Sequence, residues 1–253
     1  MVITLDYNID GKVQIKMIGY IDGITSLPES MDGKSATPAG NNLFMVNPGA
    51  SPLPVSESEI FHHYVAKLLF LCKRARPDIL TAIAYLSTRV KAPDVDNLKK
   101  LIRVMRYLRA TRDLPLTLEA DAARQPGWWI DASFGIHHDM KSHMGGLMSL
   151  GRGAVYATSR RQRINTRSST EAELVGINDV LSQVLWTRYF MGSQGYPVHP
   201  TKLYQDNMST ILLSKNGKAS SSKRTRHIDI RFFFSQTGWQ TRRLRSSIVQ
   251  VVT

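Results

Sequence analysis

The 253-residue chain holds one cysteine, Cys72, inside the apolar run Lys67–Lys73. With no second thiol there is neither a disulfide framework nor a thiolate metal site, and nothing marks a secreted scaffold. Long apolar runs are missing too: no stretch approaches the roughly 20 residues of a membrane span. Met1–Asp10 carries acids where a signal peptide would carry bases. These absences predict a soluble, intracellular protein with no membrane partner. Acid is also in short supply, with 20 Asp+Glu against 33 Lys+Arg, a formal net charge of +13 and a pI near 10.0. What is present suffices for folding, since 42% hydrophobic and 21% charged residues provide a core for one large or two modest domains.

The shortage of acid is concentrated. Residues 121–253 hold 18 Lys+Arg against 8 Asp+Glu, so this half carries most of the positive charge. An excess of that size in a segment able to fold predicts a polyanionic partner, and phosphate backbones are the commonest kind. No basic amphipathic helix accompanies it, which disfavours a membrane surface.

Periodicity organises the rest. Lys12–Met17 alternates as a half-buried strand, and Leu27–Pro54, rich in Pro, Gly, Ser and Asn, reads as a loop. Three helices follow: Ser56–Lys73, with Ser56 and Glu59 forming a capping box; Pro77–Val90; and Asp94–Arg109. Their apolar stripes are core. Two prolines and a change of charge balance in Thr111–Gly127 put a boundary near residue 120. Beyond it come strands at Trp128–Ala132, Gly146–Leu150 and Ala154–Ser159, the last two joined by the turn Gly151–Gly153. A helix from Thr170 to about Met191 follows, then a strand at Lys202–Gln205, a helix after Asp206, a basic loop Lys215–Arg226, an apolar-aromatic piece His227–Phe234 and a last strand in Ser247–Val252.

In so basic a unit the position of each acid is informative. Asp131 and Asp206 both end apolar strands, where a carboxylate is costly unless solvated, hydrogen-bonded or holding a cation. Two glutamates compete in Ser168–Leu174. Glu173 is followed at helical steps by Ile177, Val180 and Val184, so it borders the core-facing stripe, whereas Glu171 looks outward and suits a cap with Ser168. Singly, each acid has an ordinary explanation: a turn at Asp131, a helix cap at Asp206, a capping box at Glu173. Together, a strand-end Asp, a helix-borne Glu and an Asp on the next strand match what two-metal phosphodiester cleavage requires, because hard divalent cations prefer carboxylate oxygens.

The residues carry a resemblance. The run Leu68-Leu-Phe-Leu-Cys-Lys-Arg-Ala-Arg-Pro-Asp-Ile79, followed by Leu101–Asp113, resembles the segment after the polymerase core in polyproteins of copia-type LTR retrotransposons. The boxes Trp129-Ile-Asp-Ala-Ser133, Arg167–Leu174, Tyr204–Ile211 and Arg224–Arg231 resemble their ribonuclease H domain, and together they are far more specific than any one alone. The resemblance implies an α/β, ribonuclease H-like mixed sheet with flanking helices in residues 121–253. It implies a smaller, mainly helical, thumb- or connection-like tail of the reverse transcriptase in residues 1–120. It further implies Asp131, Glu173 and Asp206 as catalytic metal ligands for two magnesium ions, or manganese, acting on RNA paired to DNA. Arg160, Arg161, Arg163, Arg167, Lys223, Arg224, Arg226 and His227 are the candidates for contact with the nucleic-acid backbone. The rest of the polyprotein is an implied partner, and a cytoplasmic particle or the nucleus the implied location.

The chain departs from that pattern twice. No Asp-Asp pair occurs anywhere in it, so polymerisation is not expected of it. The family's fourth carboxylate sits in an Ala-Asp-x-x-Thr-Lys box that this sequence does not contain, and Asp229, a possible substitute, suits a structural pairing with Arg226 or Arg231 better. A catalytically inactive nucleic-acid-binding remnant is therefore the competing reading. An integrase of similar fold is disfavoured because Glu173 lies between the two aspartates.

Overall fold

The computed structural model describes residues 3–7, 11–25, 32–122, 125–197, 201–211 and 249–252. It divides into two compact units, residues 1–119 with 159–161 and residues 120–158 with 162–253.

In the first unit, β1 (Thr4–Tyr7) and β2 (Lys12–Lys16) are antiparallel neighbours, with Thr4 opposite Lys16. β2 also pairs antiparallel with β3 (Leu116–Ala120), a strand inside the segment whose prolines suggest a boundary. Four helices complete the unit: α1 (Ile18–Thr25), α2 (Val55–Cys72), α3 (Leu80–Ser87) and α4 (Val95–Ala110). The predicted helix Pro77–Val90 is in fact a single 3-10 turn, Pro77–Ile79, running into α3, which ends at Ser87. The capping box expected from Ser56 and Glu59 does not form. α2 starts one residue earlier, with Pro54 at the cap and no side-chain cap bond. α4 does have its cap, Asp94 accepting from the Asn97 amide at 2.7 Å.

Arg76, in the Arg-Pro-Asp box, is 2% exposed yet fully satisfied. It donates to both carboxylate oxygens of Asp78 and to the carbonyl and hydroxyl of Thr111, while Tyr107 donates to Asp78 at 2.8 Å. A buried charge survives only with such partners, so this box is structural. Cys72 is buried in the same core, which pushes its thiol up to about 12 and leaves it unreactive.

The second unit is a mixed five-stranded sheet in the order β7-β5-β4-β8-β9, where β4 is Gly127–Ser133, β5 His143–Ser149, β7 Tyr156–Arg161, β8 Thr201–Tyr204 and β9 Val249–Val252. β6 (Gly151–Arg152) is a two-residue strand in the turn between β5 and β7. β4 and β5 are antiparallel, whereas β8 runs parallel to β4 and β9 parallel to β8. The change of direction is made by α5 (Ser169–Ser193), as a parallel connection requires a crossover.

Strand alternation decides which residues meet that helix. Trp128, Ile130 and Ala132 of β4 are buried with Met144, Ile177, Val180 and Val184, while Trp129, Asp131 and Ser133 point to the other face. α5 sits close to the sheet because glycines leave room: a Cβ on Gly146 would lie 3.1 Å from both Thr158 Cγ2 and Val180 Cγ2. Among the described residues no helix is long and apolar enough to cross a membrane.

Candidate metal centre

The parallel register of β4 and β8 brings two acids together. Trp128 pairs with Leu203 and Trp129 with Tyr204, so the same offset carried two residues on sets Asp206 beside Asp131. Both lie at positions exposed to solvent. The third acid comes from the first turns of α5. Ser168 caps that helix by accepting from the Glu171 amide at 3.2 Å, and the Glu171 carboxylate accepts from the Arg167 amide at 2.7 Å. Glu171 is thereby committed to the helix start. Glu173, two residues on, turns inward and is 4% exposed.

Each of Asp131, Glu173 and Asp206 offers a carboxylate oxygen, and the three oxygens lie within 4.8 Å of one another. The ordinary explanation for Asp206 fails locally, because the helix start after β8 is capped by Asn207, whose Oδ1 accepts from the Thr210 amide at 3.0 Å. Asp131 lies inside β4 opposite Gly145 and starts no turn.

The buried member is held rigidly. Glu173 Oε1 accepts from the Ala132 amide at 3.0 Å, and its Oε2 accepts from Gln205 Nε2 at 3.0 Å. Gln205 is itself fixed, since its Oε1 accepts from the Asn207 amide at 3.0 Å. Burial raises the Glu173 carboxyl to about 7. The two hydrogen bonds oppose that rise, and the charges of Asp131 and Asp206 add to it. The donor set fits a hard divalent cation: three carboxylates at short range, one preset by hydrogen bonds and two open to solvent.

Sequence reasoning does not single out Gln205. A signal is there, because Leu203 and Gln205 stand two apart on the strand and share its inward face, between exposed Lys202 and Asp206 with Tyr204 half-buried, and a buried amide beside a strand-end acid is a natural holder for another carboxylate. Of the candidate backbone contacts, Arg160 and Arg161 end β7, and Arg163 and Arg167 are exposed on the segment leading to α5. Lys223, Arg224, Arg226 and His227 lie outside the described residues, as do Asp229 and the predicted piece His227–Phe234.

A buried histidine pair also stands in this unit. His137 Nε2 and His143 Nδ1 share a hydrogen bond at 3.0 Å, and burial lowers His143 to about 4. A ring so strongly disfavoured as a cation stays neutral at ordinary pH and serves the turn between β4 and β5.

No protein-family model matches the chain. Relatives do. The Retrovirus-related Pol polyprotein from transposon TNT 1-94 of Nicotiana tabacum is 28% identical over 168 residues, covering 66% of this chain and 12% of that protein. The corresponding polyprotein from transposon RE1 of Arabidopsis thaliana is 30% identical over 180 residues, covering 70% of this chain and 12% of that protein. Among solved structures, ribonuclease H1 of the archaeon Halobacterium salinarum aligns at 13% identity with a TM-score of 0.34, covering 51% of this chain and 85% of that one. The chain therefore spans about an eighth of the length of these plant relatives. Its homologues are the Pol polyproteins of copia-type retrotransposons, whose sequence it follows as a polyprotein fragment would.

Proposed function

We propose that residues 121–253 are a ribonuclease H-type endonuclease that cleaves the RNA strand of RNA–DNA hybrids, with Asp131, Glu173 and Asp206 holding two divalent ions, magnesium or manganese. The observation that carries this reading is the meeting of three carboxylates within 4.8 Å in a unit otherwise dominated by bases. Bound there, such ions supply an activated water and a stabilised leaving oxygen for in-line displacement. The chain's own contribution is placement. Ala132 and Gln205 fix the Glu173 carboxylate, and the exposed Asp131 and Asp206 face the side from which a phosphate arrives. Arg160, Arg161, Arg163 and Arg167 supply phosphate contacts, and hybrid recognition rests on backbone and 2′-hydroxyl contacts across the shallow minor groove rather than on base readout.

By the same resemblance residues 1–120 are a reverse-transcriptase tail that does not polymerise, the remainder of a polyprotein is a partner, and a cytoplasmic particle or the nucleus is the site of action. The second reading, an inactive nucleic-acid-binding remnant, is favoured by one observation: among the described residues the cluster holds three acids and no fourth.

Cleavage of an end-labelled hybrid by the full chain, with magnesium or with EDTA, separates the two. The nuclease reading expects magnesium-dependent products, and their loss in Asp131→Asn and Asp206→Asn with hybrid affinity in EDTA little changed. Hybrid binding without magnesium-dependent turnover overturns it in favour of the remnant.

A further inference from the structure

A buried polar clamp stands behind the three acids, made of residues to which no role has been given above. Gln162 is 1% exposed and Ser142 is fully buried. The Gln162 backbone amide donates to the Ser142 carbonyl at 2.8 Å, and the Gln162 side-chain Nε2 donates at 2.8 Å to the carbonyl of Ala172, in the first turn of α5. Ser142 Oγ accepts from the Gly135 amide at 3.2 Å and shares a hydrogen bond with Thr166 Oγ1 at 2.9 Å. The backbone of Gln162 is thereby tied to the turn between β4 and β5, and its side chain to the start of the helix that carries Glu173.

Packing does not explain the clamp. Gln162 Oε1 is buried and has no partner among the described residues, and an unpaired buried amide oxygen is a standing cost. The Ala172 carbonyl has no need of the extra bond, because within a helix it accepts from the amide four residues on, here Gly176. Methionine, of similar length, would fill the same space and leave no polar atom unpaired. What glutamine adds at position 162 is a donor aimed at one carbonyl.

That carbonyl matters because of the residue after it. The Ala172 C=O and the Glu173 N–H belong to one planar peptide, so fixing the first orients the second, and with it the direction in which the Glu173 side chain leaves the helix. Asp131 and Asp206 are set by strand register, whereas Glu173 is delivered from near the N-terminus of a helix, where helices fray. The Ser168 cap holds that end at one point, and Gln162 holds it at a second, one residue before the ligand. Groups that fix a metal ligand in this way commonly govern affinity by about 10–100-fold.

We propose that Gln162 is a positioning residue for the metal centre. Too deeply buried to touch ion or substrate, it holds the Ala172–Glu173 peptide so that the Glu173 carboxylate stands preset for a divalent ion, and Ser142 and Thr166 hold Gln162 in turn. The inference rests on the reading of Asp131, Glu173 and Asp206 as a metal site, and the test separates the two. Magnesium is titrated calorimetrically into the full chain cleared of metal, and thermal melts in EDTA report the fold. Gln162→Met removes the donor and keeps the bulk; it should bind magnesium about tenfold more weakly, with its melt in EDTA little changed. A merely structural glutamine would do the opposite, lowering the melt with magnesium affinity kept, and that result overturns the proposal. Thr166→Val and Thr166→Ser decide the matter where Gln162→Met lowers the melt as well: valine should weaken magnesium binding several-fold, and serine, which keeps the hydroxyl, should retain it. Equal affinity in these two variants overturns the proposal. Wild-type chain that takes up no magnesium, or that binds it as tightly after Asp131→Asn, ends the metal reading and this inference with it. Uptake that is lost in Asp131→Asn but undiminished in Gln162→Met ends this inference alone.

Discussion

Raising the pH of the metal-free protein should weaken the unit that holds the three acids, and magnesium should restore what is lost. The cause is Glu173, which burial, reinforced by the charges of Asp131 and Asp206, moves from 4.5 to about 7. In the unfolded chain the same carboxyl titrates at its ordinary value. Between those two values the native state keeps a proton that the unfolded state has given up, so stability is full below 4.5, falls as pH rises toward 7, and stays low above it. At 1.36 kcal/mol per unit the loss is on the order of 3 kcal/mol. For a chain of this size that lowers the melting temperature by ~6–12 °C, at about 2–4 °C per kcal/mol. A cation shared by the three carboxylates favours the ionised Glu173 and so reverses the loss. Thermal melts followed by near-ultraviolet circular dichroism, with EDTA or with magnesium, at about pH 5.5 and about pH 8, should show a large magnesium effect only at the higher pH. Asp131→Asn and Asp206→Asn should shrink that effect. A magnesium effect of equal size at both pH values, or none at either, refutes the reasoning.

Replacing Arg163 and Arg167 by glutamine should weaken hybrid binding and reduce the slope of log affinity against log salt by about 1 for each phosphate that the variant no longer neutralises; an unchanged slope in anisotropy titrations removes these residues from the interface. Two glycines where α5 meets the sheet, Gly146 on β5 and Gly176 on α5 itself, should respond oppositely to alanine. At Gly146 a Cβ meets Thr158 and Val180 at 3.1 Å, so the variant should lose about 1–2 kcal/mol in urea denaturation. At Gly176 its nearest neighbour is Ile130 at 3.5 Å, an ordinary contact, and the helix should gain about 0.5–1 kcal/mol. Equal effects at the two positions contradict the described seat of α5 on the sheet.

Much of the second unit is legible in the sequence because its signals are local. Trp128–Ala132 alternates around a core face, and the observed strand extends it by one residue at each end. The choice between Glu171 and Glu173 follows from helix phase alone. Elsewhere the deciding contacts are distant in sequence. β3 hides in a boundary-like segment because Leu116–Ala120 is short and lies between prolines, yet it pairs with β2 about a hundred residues earlier. α1 gives little sign of itself because Gly19 and Gly23 depress helix propensity, and what holds it is burial of Ile21 and Ile24, each 1% exposed. The capping box at Ser56 has the right residues two positions too late, since Pro54 occupies the cap and α2 begins at Val55.

The meeting of Asp131 and Asp206 is expected from the order of the acids and from the resemblance, but what produces it, the parallel register between β4 and β8, belongs to neither strand alone. That register has a cost. It sets two carboxylates side by side above a third that is buried, and among the described residues none of the three is ion-paired. The amide donors of Ala132 and Gln205 offset only part of the cost of burial and of the repulsion that adds to it, for Glu173 remains raised to about 7. A polar residue without charge at position 173 would accept the Ala132 bond at no electrostatic penalty, and a shift of one residue in β8 would carry Asp206 to the opposite face of the sheet. A fold selected for stability alone has those cheaper options. Retaining three mutually repelling acids in the half of the chain that can least spare acid is explained when a dication completes the cluster, because its charge would offset both the burial that raises Glu173 and the repulsion that Asp131 and Asp206 add.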